Sequence, residues 1–217
     1  MKSLIYKEFK LATPLLTFLF LGFSLMTFIP GYPILCGVFF ICFGIFQSYQ
    51  YSREAGDISY SVLLPVKKTD IVKAKYGATI LLQILAFILL MIFTLIRMTF
   101  MSDVEIYKNN ALMGANFVFL GFALLIFALF NWIFLGGFFK TAYGIGKPFV
   151  IFIILNFLII IVAEALHHFP RFEWMNELDY INCGMQIVFL MCSIATYIVV
   201  TVVSCRVSQK RFEKIDL

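Results

Sequence analysis

Charge is scarce in this chain. Asp, Glu, Lys and Arg make up 13% of its 217 residues and 62% are hydrophobic, against roughly a quarter charged in an average soluble domain, so water is not the solvent for most side chains. Histidine occurs twice, and the five cysteines (Cys36, Cys42, Cys183, Cys192 and Cys205) show no CxxC spacing. That excludes the common zinc and redox frameworks and leaves free thiols packed among apolar neighbours. No glycine-rich loop closes in Gly-Lys-Ser/Thr. The nearest string, Gly144-Ile145-Gly146-Lys147-Pro148, has Thr141 in place of the leading glycine and Pro148 in place of the magnesium-binding hydroxyl, so it reads as a turn. There is no HExxH helix, no basic and aromatic nucleic-acid motif, and no apolar-polar alternation of the kind a membrane barrel needs.

What the chain does have is apolar length. Uncharged runs recur, the longest covering 11–52 and another 76–96, and about 20 helical residues cross a bilayer. Phe alone accounts for 27 residues, which suits lipid-facing helices. The reading is an all-α, multi-pass membrane protein of one domain, 1–217, with six spans near 11–29, 33–49, 76–96, 111–138, 149–165 and 183–205. Pro30-Gly31-Tyr32-Pro33 allows only a tight hairpin between the first two spans. The basic start followed by an apolar run imitates a signal peptide, but 11–29 is longer than a signal core and lacks a small-residue cleavage site, so it is expected to stay as a span.

Orientation follows from the cations. Of 17 Lys and Arg residues, fourteen fall on one side: Lys2, Lys7 and Lys10; Arg53, Lys67, Lys68, Lys73 and Lys75; Lys140 and Lys147; Arg206, Lys210, Arg211 and Lys214. The other side holds Arg97, Lys108 and Arg171 beside the acids Asp103, Glu105, Glu164, Glu173, Glu177 and Asp179. Positive loops resist translocation, which puts both termini in the cytoplasm and explains the net charge of +5.

Two cytoplasmic segments are more than linkers. Residues 2–12 pattern as an amphipathic lead-in helix, with Ser3, Lys7 and Lys10 on one face and Leu4, Ile5, Phe9 and Ala12 on the other. Glu8 falls inside the apolar face, which leaves open a frayed basic start to the first span. In the loop 50–76, Gly56 and Asp57 start a short helix whose free amides the Asp57 carboxylate can cap. Ile58 and Val62 align four apart, and Pro65 stops the run after Leu64. Thr69 and Asp70 begin a second helix that runs through Ile71, Val72, Lys73 and Lys75 into the third span. Ile58, Tyr60, Val62, Leu63 or Leu64 must be buried somewhere, in a partner's groove or in the lipid interface.

The order Arg53, Glu54, Gly56, Asp57, a short apolar helix ending in Leu64-Pro65, Lys67-Lys68, then Thr69-Asp70-Ile71-Val72 and Lys75 resembles the permease subunits of type-two ABC exporters (ABC-2 type). So does the whole-chain plan. The resemblance implies that Arg53, Glu54, Gly56, Asp57, Ile58, Tyr60, Leu63, Leu64, Pro65, Lys67, Lys68 and Asp70 form a coupling segment docked on a separate ATPase. It implies two such ATPase subunits holding ATP and magnesium, no cofactor on this chain, and a second copy or similar permease completing the pathway. With Lys140 and Tyr143, the second internal loop would give a further ATPase contact. Small permeases of this type resemble those exporting peptides and toxins from Gram-positive bacteria, which implies a bacterial plasma membrane location.

Asn116, Asn131, Asn156 and Gln186 lie at membrane depth, where amides need partners. They are expected to bond between helices, with Asn116, Asn131 and Asn156 as candidates for a substrate pathway. With no carboxylate or cation placed in mid-membrane, ion-coupled transport is disfavoured and an apolar or amphipathic substrate is expected. The rivals are an intramembrane enzyme using Glu164, His167 and His168, and a non-transporting accessory or immunity protein that binds a peptide. The outer stretch 164–182, with Phe169, Phe172, Trp174 and Tyr180, reads as headgroup anchoring or a small cap.

Overall fold

A computed structural model describes residues 2–101, 104–108, 110–141, 144–177 and 183–215. Among these, all regular structure is helical. Four helices are long and apolar enough to cross a bilayer: α5 (Lys68–Phe100), the α7 to α8 unit (Phe117–Thr141), α9 (Gly146–Leu166) and α10 (Cys183–Glu213). A bent pair, Ser3–Ala12 and Leu15–Phe28, raises that to five if it is counted as one span. The second expected span, 33–49, corresponds to α3 (Leu35–Glu54), which is 20 residues long but ends in two polar turns, Gln-Ser-Tyr-Gln-Tyr-Ser-Arg-Glu.

The expected span at 11–29 is not one straight helix. α1 (Lys2–Lys7) runs on through a wide turn, Glu8–Ala12, and stops at Thr13 and Pro14, both extended. Pro14 has no amide to donate and opens α2 (Leu15–Phe20), which tightens into a 3-10 segment, Leu21–Phe28. The two halves meet at 89°, so the lead-in helix crosses the foot of the bundle. Other expected boundaries move too. After α5 comes a single turn, α6 (Glu105–Lys108), residues 111–116 are not helical, and the helices of the third and last expected spans extend well past the apolar windows, to 68–100 and 183–213.

α7 (Phe117–Phe130) is the centre of the bundle, buried on nearly every face among α3, α5, α9 and α10. It starts where it does because Asn116 caps it, accepting from the amides of Val118 and Phe119 at 3.0 Å each. It ends in a π turn, Asn131–Leu135, before α8 (Gly136–Thr141). Lipid tails are as apolar as these side chains, so close packing rather than expulsion from water holds the helices together. Aromatic rings supply much of that packing, as where Phe46 stacks on Phe149 at 3.8 Å between centroids. Glycines supply the close approaches. A Cβ at Gly37 would stand 2.7 Å from the Phe23 carbonyl oxygen, and one at Gly44 would collide with the Phe20 side chain.

Gly44→Val is therefore expected to loosen α3 from α2 at a cost of about 1–3 kcal/mol, the usual range for overpacking. Gly22→Ala, where a Cβ meets nothing within 4 Å, should leave unfolding in mixed micelles unchanged.

Candidate functional site

The polar end of α3 turns into α4 (Asp57–Leu63) through Gly56, whose φ of +63° is the left-handed geometry that glycine takes without strain. Leu64 is extended, as a residue before proline must be, and ends α4. Lys67 is extended in turn, and α5 begins at Lys68, whose ammonium donates to the Ile215 carbonyl at 2.6 Å. Helix, proline break and helix thus follow the sequence signals. The N-cap position itself is Gly56, which has no side chain to cap with; the Asp57 carboxylate points inward, into a cluster of buried charge.

That cluster is a closed ring of two cations and two anions. Lys75 on α5, 3% exposed, lies 2.8 Å from Glu8 Oε2 and 2.8 Å from Asp57 Oδ2. Lys7 lies 2.6 Å from Asp57 Oδ1 and 3.2 Å from Glu8 Oε1. Ser52 on α3 accepts from Lys75 at 2.8 Å and donates to Asp57 at 3.0 Å. Ser61 accepts from Lys7 at 2.6 Å. Four segments meet here: the lead-in helix, α3, α4 and α5. Burial alone would push the Asp57 carboxyl up, but Lys75 and Lys7, by charge and by hydrogen bond, outweigh it and hold the group below its ordinary 3.8.

With Asp57 and Ile58 facing inward and Val62 half-buried, the opposite face of α4 is left open. Leu63 is 85% exposed and Tyr60 57%. Arg53, Glu54, Pro65 and Lys67 are exposed around them, while Leu64, Lys68 and Asp70 are half-buried. Glu54 accepts a 3.4 Å bond from Gln50, and Asp70 pairs with Lys73 at 3.4 Å. The result is an apolar tip rimmed by charge, standing on a buried ionic base. Lys7, Glu8, Ser52, Ser61 and Lys75 were not among the site residues read from the sequence. Two signals were available: Glu8 sits alone in an apolar face, and Lys75 lies at helical spacing from buried Ile71 and Val72 on one side and Ala78 and Thr79 on the other.

The structure puts the three candidate pathway asparagines in three different places. Asn116 caps the start of α7 and donates to the Met175 carbonyl at 2.8 Å. Asn131 and Gln83 exchange amide bonds at 2.9 and 3.0 Å, and Asn131 also donates to Thr201 at 3.0 Å, joining α5, α7 and α10. Asn156 is buried on α9, and both of its amide atoms lack a hydrogen-bond partner. Gln186 donates to the carbonyls of Trp174 and Glu177. At the same end Glu164 accepts from the Met113 amide at 2.8 Å, and the His167 ring bonds the Ala111 carbonyl at 3.1 Å. These groups fasten the 111–116 segment. Among the described residues no cluster of His, Cys, Asp or Glu could hold a metal ion. The cysteines are free thiols. Tyr143 and Tyr180 lie outside the described residues.

Two outcomes follow. Lys75→Met strands two buried carboxylates and should cost about 3–5 kcal/mol, measured by unfolding in mixed micelles, whereas exposed Lys73→Met should stay within about 0.5 kcal/mol. Because the Asp57 pKa is lowered on folding, its contribution is fully present above its ordinary 3.8 and is lost as pH falls through the lowered value. A spin label at Leu63→Cys, in a chain without its native cysteines, should stay ordered at pH 7 and loosen as the sample is acidified below pH 3.8.

A family model described as an ABC-2 family transporter protein matches residues 3–213. No curated protein and no solved structure matches the chain.

Proposed function

The chain belongs to the ABC-2 family of transporter proteins, and on that premise we propose that it is the membrane permease subunit of an ATP-driven exporter, with α4 as the helix that receives a separate ATPase. The observation that carries this reading is the apolar tip of α4 on its ionic base. A helix of seven residues has little stability of its own. Holding it on charge-charge contacts to α5 and the lead-in helix lets a push on Leu63 and Tyr60 reach two membrane elements at once. Leu63 and Tyr60 would enter an apolar groove of the ATPase, with Arg53, Glu54 and Lys67 at the rim.

The division of labour follows from the absence of a phosphate-binding loop. ATP and magnesium sit on the partner, two copies of which serve two permease halves, this chain and a second copy or a similar subunit. In this reading α2 and α3 pair as the first two of six spans, and both ends of the chain face the cytoplasm of a bacterial cell with α4 and the basic loops. The substrate is apolar or amphipathic, in the manner of a membrane-active peptide, and moves outward. The polar groups buried among α5, α7 and α10 are amides and hydroxyls bonded to one another, which suits a route that does not relay protons through carboxylates.

The test is co-purification of an ABC ATPase with the detergent-solubilised protein from its own cells. Leu63→Ala removes a side chain worth about 1.5–3 kcal/mol when buried, so recovery of the ATPase should fall about tenfold or more, and Leu63→Glu should abolish it without affecting membrane insertion. ATPase recovery that is unchanged in both variants removes α4 as the docking element. A preparation with no ATPase even from the unaltered protein favours a peptide-binding accessory protein instead.

A further inference from the structure

A groove runs down the side of the bundle away from the ionic cluster, between the second half of α7, α9 and α10. Its upper part is an apolar slot of about 420 Å³ that includes Leu125, Leu129, Ile159 and Val200. Its lower part is a wider mouth of about 490 Å³ that includes Lys140, Lys147 and Arg211. Trp132 lines both. On the α7 to α8 unit the lining residues Leu125, Leu129, Trp132, Gly136 and Lys140 follow one another three or four apart, so they form a single stripe. From Leu125 to Lys140 that stripe is about 22 Å long at 1.5 Å per residue. From Thr196 to Arg211 on α10 the length is the same by the same rule, about 22 Å.

The chemistry changes once along this path. Above Trp132 the wall is apolar apart from Thr196. Below it come three cations, and among the described residues no Asp or Glu lines the mouth. The Arg211 guanidinium donates to the Gly136 carbonyl at 3.0 Å, which holds it at the rim. Lys140 and Lys147 are exposed, and neither makes an ion pair among the described residues. Depth matches as well: half a hydrocarbon core is about 15 Å, so a path of about 22 Å covers one leaflet and its headgroup layer. Trp prefers that boundary, and basic pockets between spans at the cytoplasmic face take anionic headgroups.

We infer that this groove is a binding site for one anionic phospholipid of the inner leaflet, with an acyl chain along Leu125, Leu129, Ile159 and Val200 and the phosphate at Lys140, Lys147 and Arg211. Charge complementarity chooses the occupant. A peptide or a second subunit could fill the slot, but three cations with no ion-pair partner among the described residues, at headgroup depth, call for a fixed anion on an apolar tail. The site serves whether or not an ATPase docks on α4, since it shares no residue with that helix.

The experiment is native mass spectrometry of the full chain released from nanodiscs made of equal parts phosphatidylglycerol and phosphatidylcholine. The expected result is a phosphatidylglycerol adduct retained at least about fivefold over phosphatidylcholine. Lys140→Gln with Lys147→Gln should bring the two to parity while leaving the unfolding midpoint unchanged. Val200→Phe, which fills the slot, should reduce adducts of both lipids. Equal retention of the two lipids by the unaltered protein overturns the site, as does a preference that survives the lysine substitutions. So does displacement of the lipid by soluble glycerol phosphate with no effect of Val200→Phe, since that outcome leaves an anion patch without a lipid slot. Disulfide formation between copies carrying Thr196→Cys, with no phosphatidylglycerol retained, seats a second subunit there and overturns it too.

Discussion

Two ammonium groups and two carboxylates out of water are tolerable only as a closed set, and the architecture at the foot of this bundle depends on that closure. Desolvating each ion costs several kcal/mol, repaid only by near-ideal geometry and further hydrogen bonds. Lys7, Glu8, Asp57 and Lys75 meet both conditions: each carboxylate contacts both cations, and Ser52 and Ser61 take up remaining valences. Removing any member leaves the others unpaid. The near right angle after Ala12, the left-handed turn at Gly56 and the break at Pro65 are the backbone adjustments that bring the four side chains to one point. What a ring of charge secures here is placement, since apolar surface alone gives little directional preference inside lipid.

Higher in the membrane the same economy holds without formal charge. Gln83, Asn131, Thr201 and Tyr197 form one hydrogen-bonded set across α5, α7 and α10, and Tyr76 bonds Ser204 and Ser208 below it. Such contacts between spans contribute about 0.6 kcal/mol each on average, so their value lies in fixing helix register. α7, which runs directly into Asn131, is accordingly the element from which the others take their positions.

The membrane class and most helices were legible because apolar length and Pro or Gly punctuation act locally. Family resemblance was legible because the motif from Arg53 to Lys75 is contiguous, and the match across 3–213 bears it out. The ionic cluster was not legible, because its members come from residues 7, 8, 57 and 75 and only the fold brings them together. Lys75 looked like one more cation of a cytoplasmic loop; the helix starting at Lys68 turns it inward. The bend at Thr13 and Pro14 was hidden inside a long apolar run, and α3 looked more membranous than its polar last turns make it. Asn116 lies inside the apolar run 111–138, which reads as one span, yet it caps α7, and 111–116 is not helical.

The ionic ring also sets an order of events during synthesis. Glu8 leaves the ribosome 67 residues ahead of Lys75, a gap of roughly 3 to 13 seconds at ordinary elongation rates. Through that interval its carboxylate has no buried cation on α5 to meet, so the lead-in helix has to wait in water or among headgroups while α2 and α3 are made. It can seat only after the start of α5 has emerged. A segment made well before α5 is thus among the last to find its place, and its docking reports that this end of the bundle has assembled around it.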